Sequence, residues 1–291
     1  MDERKIIKRL SVVGIVGNIL LAAFKLFAGI VGKSSAMISD AVHSLSDVFA
    51  TFVAFIGVRI ARKAPDSAHP YGHDRFECLA SLFLGLILAG TGIGIGTGGV
   101  KTILSGDYST LAVPSLIALI AALVSIISKE AMFRYTMYYA KKLNSSAFIA
   151  DAWHHRSDAL SSVGSLVGIG GAMLGYRVLD SFACVIICLF ILKVAYDILR
   201  DAVEKLLDTS CGSGYEAKLS AFIASQEGVN SLDLLHSRKF GDKIYIDAEI
   251  SVDGQLSLND AHEIAELVHD AVEKAYPEIK HIMIHENPAG N

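Results

Sequence analysis

The sequence predicts an α-helical polytopic membrane domain with six transmembrane helices, followed by a small α+β cytoplasmic domain. Three observations predict it. First, 52% of the 291 residues are hydrophobic and only 19% are charged, below the ~25% charged that is usual in soluble proteins. Second, the charge is divided. Residues 1–200 hold 19 Lys and Arg against 13 Asp and Glu, a net of +6, and residues 201–291 hold 7 against 17, a net of -10. A basic, apolar part followed by an acidic, polar one reads as a membrane domain (1–204) and a soluble domain (205–291). Third, one polar triplet occurs twice inside otherwise apolar stretches: Asp40, His43 and Asp47, then Asp151, His154 and Asp158.

The spans follow in order. Residues 1–9 are polar and basic. Leu10–Val31 is the first apolar stretch, long enough for the ~20 residues a crossing needs and interrupted by Lys25, which snorkels or faces the bundle interior. Gly29, Gly32 and Lys33 mark a turn. Ala36–Ile60 is the second span, and Arg59–Glu77 a polar loop. Cys78–Val100, uncharged and glycine-rich, is the third span. Its small residues allow close helix approach, while the alternating glycines from Gly90 to Gly98 cannot share one helical face. Tyr108–Ser128 is the fourth, with Pro114 tolerated in its first turns. Lys129–Asn144 reads as a basic connection, Ser145–Gly175 as the fifth span, and Ser181–Tyr196 as the sixth, following a turn with Arg177 and Asp180.

Positive charge sets the orientation. The amino end carries four Lys and Arg. The connections after the second and fourth spans carry Arg59, Arg62, Lys63 and Arg75, and Lys129, Arg134, Lys141 and Lys142. The opposite side carries Lys33, Lys101 and Arg177. The positive-inside rule places both termini in the cytoplasm. Compact loops and a short tail fit a prokaryotic inner membrane. The acidic tail argues against nucleic acid as a partner. The four cysteines contain no Cys-x-x-Cys pair and suggest no disulfide framework, and nothing reads as a cleaved signal peptide.

The tail alternates differently. Tyr215–Ser225 reads as a helix, Leu232–Phe240 and Ile244–Val252 as strands joined through Gly241-Asp242, and Ser257 or Asn259 as the cap of a helix to Ala275. Lys280–His285 closes as a strand. The order α-β-β-α-β makes a two-layer domain, with a second sheet face free for another copy of the chain.

The repeated triplet carries the chemistry. Positions i, i+3 and i+7 form one stripe of a helix, and two such stripes facing each other bring His43, Asp47, His154 and Asp158 to one point. Two carboxylates and two neutral imidazoles balance a divalent cation, which bare would be prohibitive in low dielectric. A His must lose its proton to bind metal, so metal and proton compete, and exposure to one membrane face and then the other gives antiport. No covalent bond need be made, so no enzyme activity is expected. Asp40 and Asp151 lie one turn earlier, either behind the ligands or along the ion path, or as caps near the membrane face. His155 points about 100° from His154 and reads as a packing residue. In the loop, Asp66, His69 and His73 meet around Pro70-Tyr71-Gly72; spacing alone leaves open a second metal site or a solvated turn. In the tail, Asp233, His236, Asp247, His262, His269, His281 and His285 read by spacing alone as surface groups. The rivals are a metalloenzyme, for which no His-Glu-x-x-His is present, a channel, and a metal sensor without transport.

The chain resembles the cation diffusion facilitators, which export zinc and related divalent cations. The resemblance rests on Ser39-Asp40-Ala41-Val42-His43-Ser44-Leu45-Ser46-Asp47, His69-Pro70-Tyr71-Gly72-His73, Asp151-Ala152-Trp153-His154-His155-Arg156-Ser157-Asp158 and Ile284-His285-Glu286-Asn287-Pro288. It implies a transport site of His43, Asp47, His154 and Asp158, a loop site at Asp66, His69 and His73, and a homodimer. It also implies a metallochaperone-like cytoplasmic domain, whose metal positions correspond to Asp233, Asp247, His262 and His285, with Asn287 where some members carry Asp. Two His with two Asp resembles the Zn2+-transporting members, with Mn2+, Fe2+, Cd2+, Co2+ and Ni2+ as other cations such a set accepts.

Overall fold

The computed structural model describes residues 3–31, 35–106, 116–173 and 178–289. The chain forms two compact units, Met1–Ala202 and Val203–Asn291. The first is built from long helices: α1 (Glu3–Val31), α2 (Ser35–Ala61), α3 (Arg75–Ser105), α4 (Leu116–Lys142), α5 (Ser146–Met173) and α6 (Val178–Leu206). Among the described residues two segments, Glu3–Ala28 and Arg75–Ser105, are long and apolar enough by composition to cross a membrane. The turn at Gly32 and Lys33, the start of the fourth expected span with Pro114, and Arg177 lie outside the described residues.

α5 is the central helix. Ala147, Phe148, Ala150, Asp151, Ala152, His154, His155, Ser157, Asp158 and Ala159 are all buried, and no single stripe contains them. Small residues make that possible, because alanine lets neighbouring backbones close in without cavities. α2 turns one face inward, through Ala41, Ser44, Asp47, Ala50, Thr51, Ala54 and Val58. α1 does the same with a polar stripe at heptad spacing, Ser11, Asn18 and Lys25, all buried. Lys25 faces the interior rather than snorkelling: its ammonium donates to Ser44 Oγ at 2.8 Å.

The fourth span continues past its expected end. α4 runs through Lys129 to Lys142 without a break, because no Gly or Pro lies between Leu116 and Lys142. Lys129 is therefore a buried residue of the bundle and does not belong to the connecting loop.

The glycines of α3 divide by face. Gly85, Gly92 and Gly96 meet Leu199, Ile191 and Cys188 of α6, where an added Cβ would stand 2.9, 3.1 and 2.3 Å away, while Gly90, Gly94 and Gly98 face open space. Gly57 of α2 packs against α3 so closely that a Cβ there would stand 2.3 Å from that of Ala80.

The second unit is α7 (Ser213–Ala224), β1 (Ser231–Phe240), β2 (Lys243–Val252), α8 (Leu258–Ala275) and β3 (Ile279–Pro288). The sheet order is β1-β2-β3, with β1 antiparallel and β3 parallel to β2. Gly241, at φ +67°, supplies the positive φ that a two-residue hairpin turn needs. Ser257 caps α8 by accepting from the Asp260 amide at 3.3 Å and donating to its carboxylate at 2.7 Å. Ile246, Ala248, Ile250 and Val252 pack one sheet face on Leu219 and Ile223 of α7 and Val268 and Val272 of α8. Asp247 stays exposed on the other face.

Gly57→Val is expected to cost about 1–3 kcal/mol by overpacking the α2–α3 contact. The measurement is unfolding temperature and size-exclusion profile in detergent. Gly94→Ala, which meets open space, is expected to leave both unchanged.

Candidate functional site

Asp47 and Asp158 come from different helices and are both buried. The stripe on α2 and the interior position of α5 turn them toward each other. His154 Nε2 lies 3.2 Å from Asp47 Oδ1. One ligand atom from each of Asp47, His154 and Asp158 falls within 4.8 Å of the others, a span that one divalent cation can bridge. The remaining ring nitrogen of His154, Nδ1, is buried without a hydrogen-bond partner among the described residues. The side chains of His43 and Asp40 lie outside the described residues, so three of the four expected transport ligands are seen to converge.

Lys129 is the member that sequence reasoning missed. Its Nζ donates to Asp47 Oδ2 at 2.5 Å, to Asp158 Oδ2 at 2.9 Å and to Asn18 Oδ1 at 3.0 Å. The ammonium thus uses all three of its donors and joins α4 to α1, α2 and α5. The signal was present as the unbroken helical run around it and the small buried stripe Ala121, Ser125, Lys129, Thr136 and Ala140. Arg156 of α5 lies 4.4 Å from the Phe133 ring centroid and 3.8 Å from Glu130.

Asp151 does not join the trio. It accepts from Thr51 Oγ1 at 3.0 Å, which ties α5 to α2 one turn beyond Asp47. His155 is fully buried with Nε2 3.7 Å from Asp151 Oδ2, outside the trio.

A second group converges in the loop between α2 and α3. Asp66 Oδ1 accepts from the amides of His69 at 2.8 Å and Ala68 at 3.0 Å. His69 Nδ1 lies 3.3 Å from Asp66 Oδ1 and His73 Nε2 3.4 Å from Asp66 Oδ2. The His69 and His73 rings are 4.5 Å apart, brought together by the chain reversal at Gly72, φ +94°. The His69 amide above all, with the side chain of His69 and the Ala68 amide, holds the Asp66 carboxyl below the ordinary carboxylate range. Its ligand atoms too lie within 4.8 Å of one another.

Among the described residues these are the two places where three or more such ligands meet. Asp233, Asp247, His262 and His285 do not form a third within one chain. Asp233 sits at the β-bulge between Leu232 and Leu234 and accepts from Ser251 at 2.6 Å, Ser231 at 2.8 Å and Asn287 at 3.1 Å. The Ser251 hydroxyl first, then Ser231 and Asn287, hold its carboxyl low. Asp247 pairs in register with His236 and Met283, and His285 with Glu249. His262 on α8 lies 3.6 Å from Glu266 and from Glu286.

Sequence comparison identifies both units. Residues 11–207 match the cation efflux transmembrane domain, and residues 215–289 match the cation efflux protein cytoplasmic domain. An uncharacterized transporter of Methanocaldococcus jannaschii is 38% identical over 262 residues, 90% of this chain and 92% of that protein. The manganese efflux system protein MneP of Bacillus subtilis is 28% identical over 294 residues, 99% of this chain and 98% of that protein. The magnetosome protein MamB of a Magnetospira strain is 30% identical over 271 residues, 93% and 92% respectively. With the matched domains spanning nearly all of the sequence, the chain belongs to the cation diffusion facilitator family, membrane proteins that move divalent metal cations out of a compartment.

Proposed function

We propose that this protein exports a divalent cation, Zn2+ in the first instance, from the cytoplasm in exchange for protons. Its six long helices would span the inner membrane, with both termini in the cytoplasm. The observation that carries the reading is the convergence of Asp47, His154 and Asp158 inside the bundle. His43, one turn before Asp47, completes the set by its position in the repeated triplet. Ionisable groups are costly within a membrane, and a site that keeps several of them is one that function retains.

The chemistry follows from the donors. Two carboxylates supply two negative charges, so a bound dication leaves the site near neutral. An imidazole binds metal only after losing its proton, which makes proton entry and metal release mutually exclusive at one atom. Alternate opening of the site to the two membrane faces turns that competition into antiport. With Lys129 buried in the bundle, the exposed Arg134, Lys141 and Lys142 towards the end of α4 keep positive charge on that side, so the charge asymmetry behind the orientation stands.

The imidazole favours zinc, whereas the two carboxylates also suit the harder manganese ion. The second reading, a Mn2+- or Fe2+-preferring exporter, is favoured by similarity to MneP across 99% of the chain. The loop trio Asp66, His69 and His73 is proposed to hold a further zinc ion. In the cytoplasmic unit, the exposed sheet face with Asp247 supports pairing of two copies into a homodimer, where Asp233, Asp247, His262 and His285 are candidate ligands. Any metal at Asp233 competes with the hydrogen bonds from Ser251, Ser231 and Asn287, which already take three of its roughly four acceptor positions.

Metal-driven proton flux in proteoliposomes tests the function. Zinc is expected to drive proton counterflow, and Asp47→Ala and Asp158→Ala each to abolish it. Flux surviving both substitutions would remove the proposed site. Flux driven by manganese or iron but not zinc would keep the site and overturn the choice of cargo. His154→Asp is expected to shift the zinc-to-manganese flux ratio toward manganese by roughly tenfold, which corresponds to about 1.4 kcal/mol of differential binding. For the loop, Asp66→Ala with His73→Ala is expected to remove one zinc per chain by equilibrium dialysis while zinc-driven flux persists.

A further inference from the structure

We infer that Lys129 is a tethered cation that replaces the transported metal between Asp47 and Asp158 while the carrier returns without cargo. The inference rests on the transport-site reading above. It starts from where the ammonium lies. Nζ stands 2.5 Å from Asp47 Oδ2 and 2.9 Å from Asp158 Oδ2. A zinc ion held by the same oxygens sits about 2.0–2.2 Å from each. Both cations need the same few cubic ångströms, and at that separation in low dielectric they repel strongly. Metal and ammonium therefore exclude one another.

The third partner explains how the exchange can be reversible. Asn18 Oδ1, at 3.0 Å from Nζ, belongs to α1 and is not a candidate metal ligand. When metal takes the carboxylates, the ammonium keeps this acceptor and withdraws along its flexible four-carbon stem. The neighbouring α1 residue of the same buried stripe, Lys25, donates to Ser44 Oγ. No change of protonation is invoked: the ammonium moves.

Two consequences distinguish this role from a merely structural one. The first is energetic. Two buried carboxylates with no cation are too costly to carry through a membrane, and Lys129 reduces that charge when metal has left. The second is mechanical. The ligands sit on α2 and α5, whereas Lys129 sits on α4 beside α1. Metal binding cuts the ionic link between these helix pairs, and metal release restores it. A carrier without Lys129 can still shuttle loaded in both directions but returns poorly without metal.

The test uses the full chain with Lys129→Met, which keeps an unbranched side chain one atom shorter and removes the charge. Transport-site zinc is counted as the part of binding that Asp47→Asn abolishes. The expected result is zinc binding tighter by on the order of ten- to a hundredfold, the factor a competitor in place 90–99% of the time imposes. In proteoliposomes, zinc-for-zinc exchange persists while net zinc efflux falls at least as steeply. Lys129→Arg, always charged and bidentate toward carboxylates, is expected to weaken zinc binding and retain net efflux. Unchanged or weaker binding in Lys129→Met, or an equal loss of exchange and net efflux, overturns the role. Should Lys129→Met fail to fold, Lys129→Arg decides alone: zinc affinity equal to the parent overturns it. If Asp47→Asn leaves zinc binding and flux intact, the site reading itself fails, a result separate from any given by the lysine variants.

Discussion

Two carboxylates, Asp47 and Asp158, are buried within one cation's reach of each other. Like charges in that setting repel and lose their hydration together, so the surrounding structure must keep positive charge beside them. That constraint places Lys129 between them and a histidine against Asp47. It also fixes which helices form the inner bundle. Lys129 brings α4, its acceptor Asn18 brings α1, and the carboxylates themselves bring α2 and α5. Two further buried bonds, Lys25 to Ser44 and Thr51 to Asp151, lock α1 to α2 and α2 to α5 away from the centre. Lys129, Asn18, Asp47, Asp158 and His154 form one connected set, in which each buried polar bond strengthens its neighbours.

The rest of the bundle accommodates that set. α5 can bury polar residues all round because alanines at 147, 150, 152 and 159 let its neighbours approach. The glycines of α3 that face α6 do the same at a second contact. The cytoplasmic unit solves a different problem. It packs its apolar core on one sheet face, and satisfies Asp233 with hydroxyls and an amide, with no cation required.

Much of this was legible in the sequence, for reasons of periodicity. Apolar length marks long helices, and a triplet at i, i+3 and i+7 that occurs twice marks two faces meeting. The alternation in the tail gave the α-β-β-α-β order, and the Ser257 cap followed from local chemistry. Lys129 was hidden because a charged residue after an apolar run reads as the membrane boundary, and the following Glu130 and Arg134 reinforce that reading. The absence of Gly and Pro from 116 to 142 argued the other way, since helices end where something breaks them. Asn18 was hidden for another reason: an isolated amide in an apolar stretch has no periodic partner of its own chemistry. Its relation to Ser11 and Lys25, seven residues to either side, shows only when the stripe is viewed as a face. The bonds of Asp233 to Ser251 and Asn287 join residues 18 and 54 positions away, and no local pattern reports those.

The two candidate clusters use the same residue types, yet burial suits them to different roles. Asp66 lies in the open and is already stabilised as an anion by the amides of His69 and Ala68. Water screens it, so in the proposed loop site nothing needs to replace a departing metal. The buried trio has the opposite requirement. Its carboxylates have little water to fall back on, so every step that removes one cation must bring another, or protons, to the same atoms. A transport site needs that instability, because a site equally stable filled and unfilled would have no reason to couple release on one face to any event on the other. In the proposed cycle the lysine between Asp47 and Asp158 meets this requirement: it makes departure of the metal survivable without making the unloaded site a resting place for good.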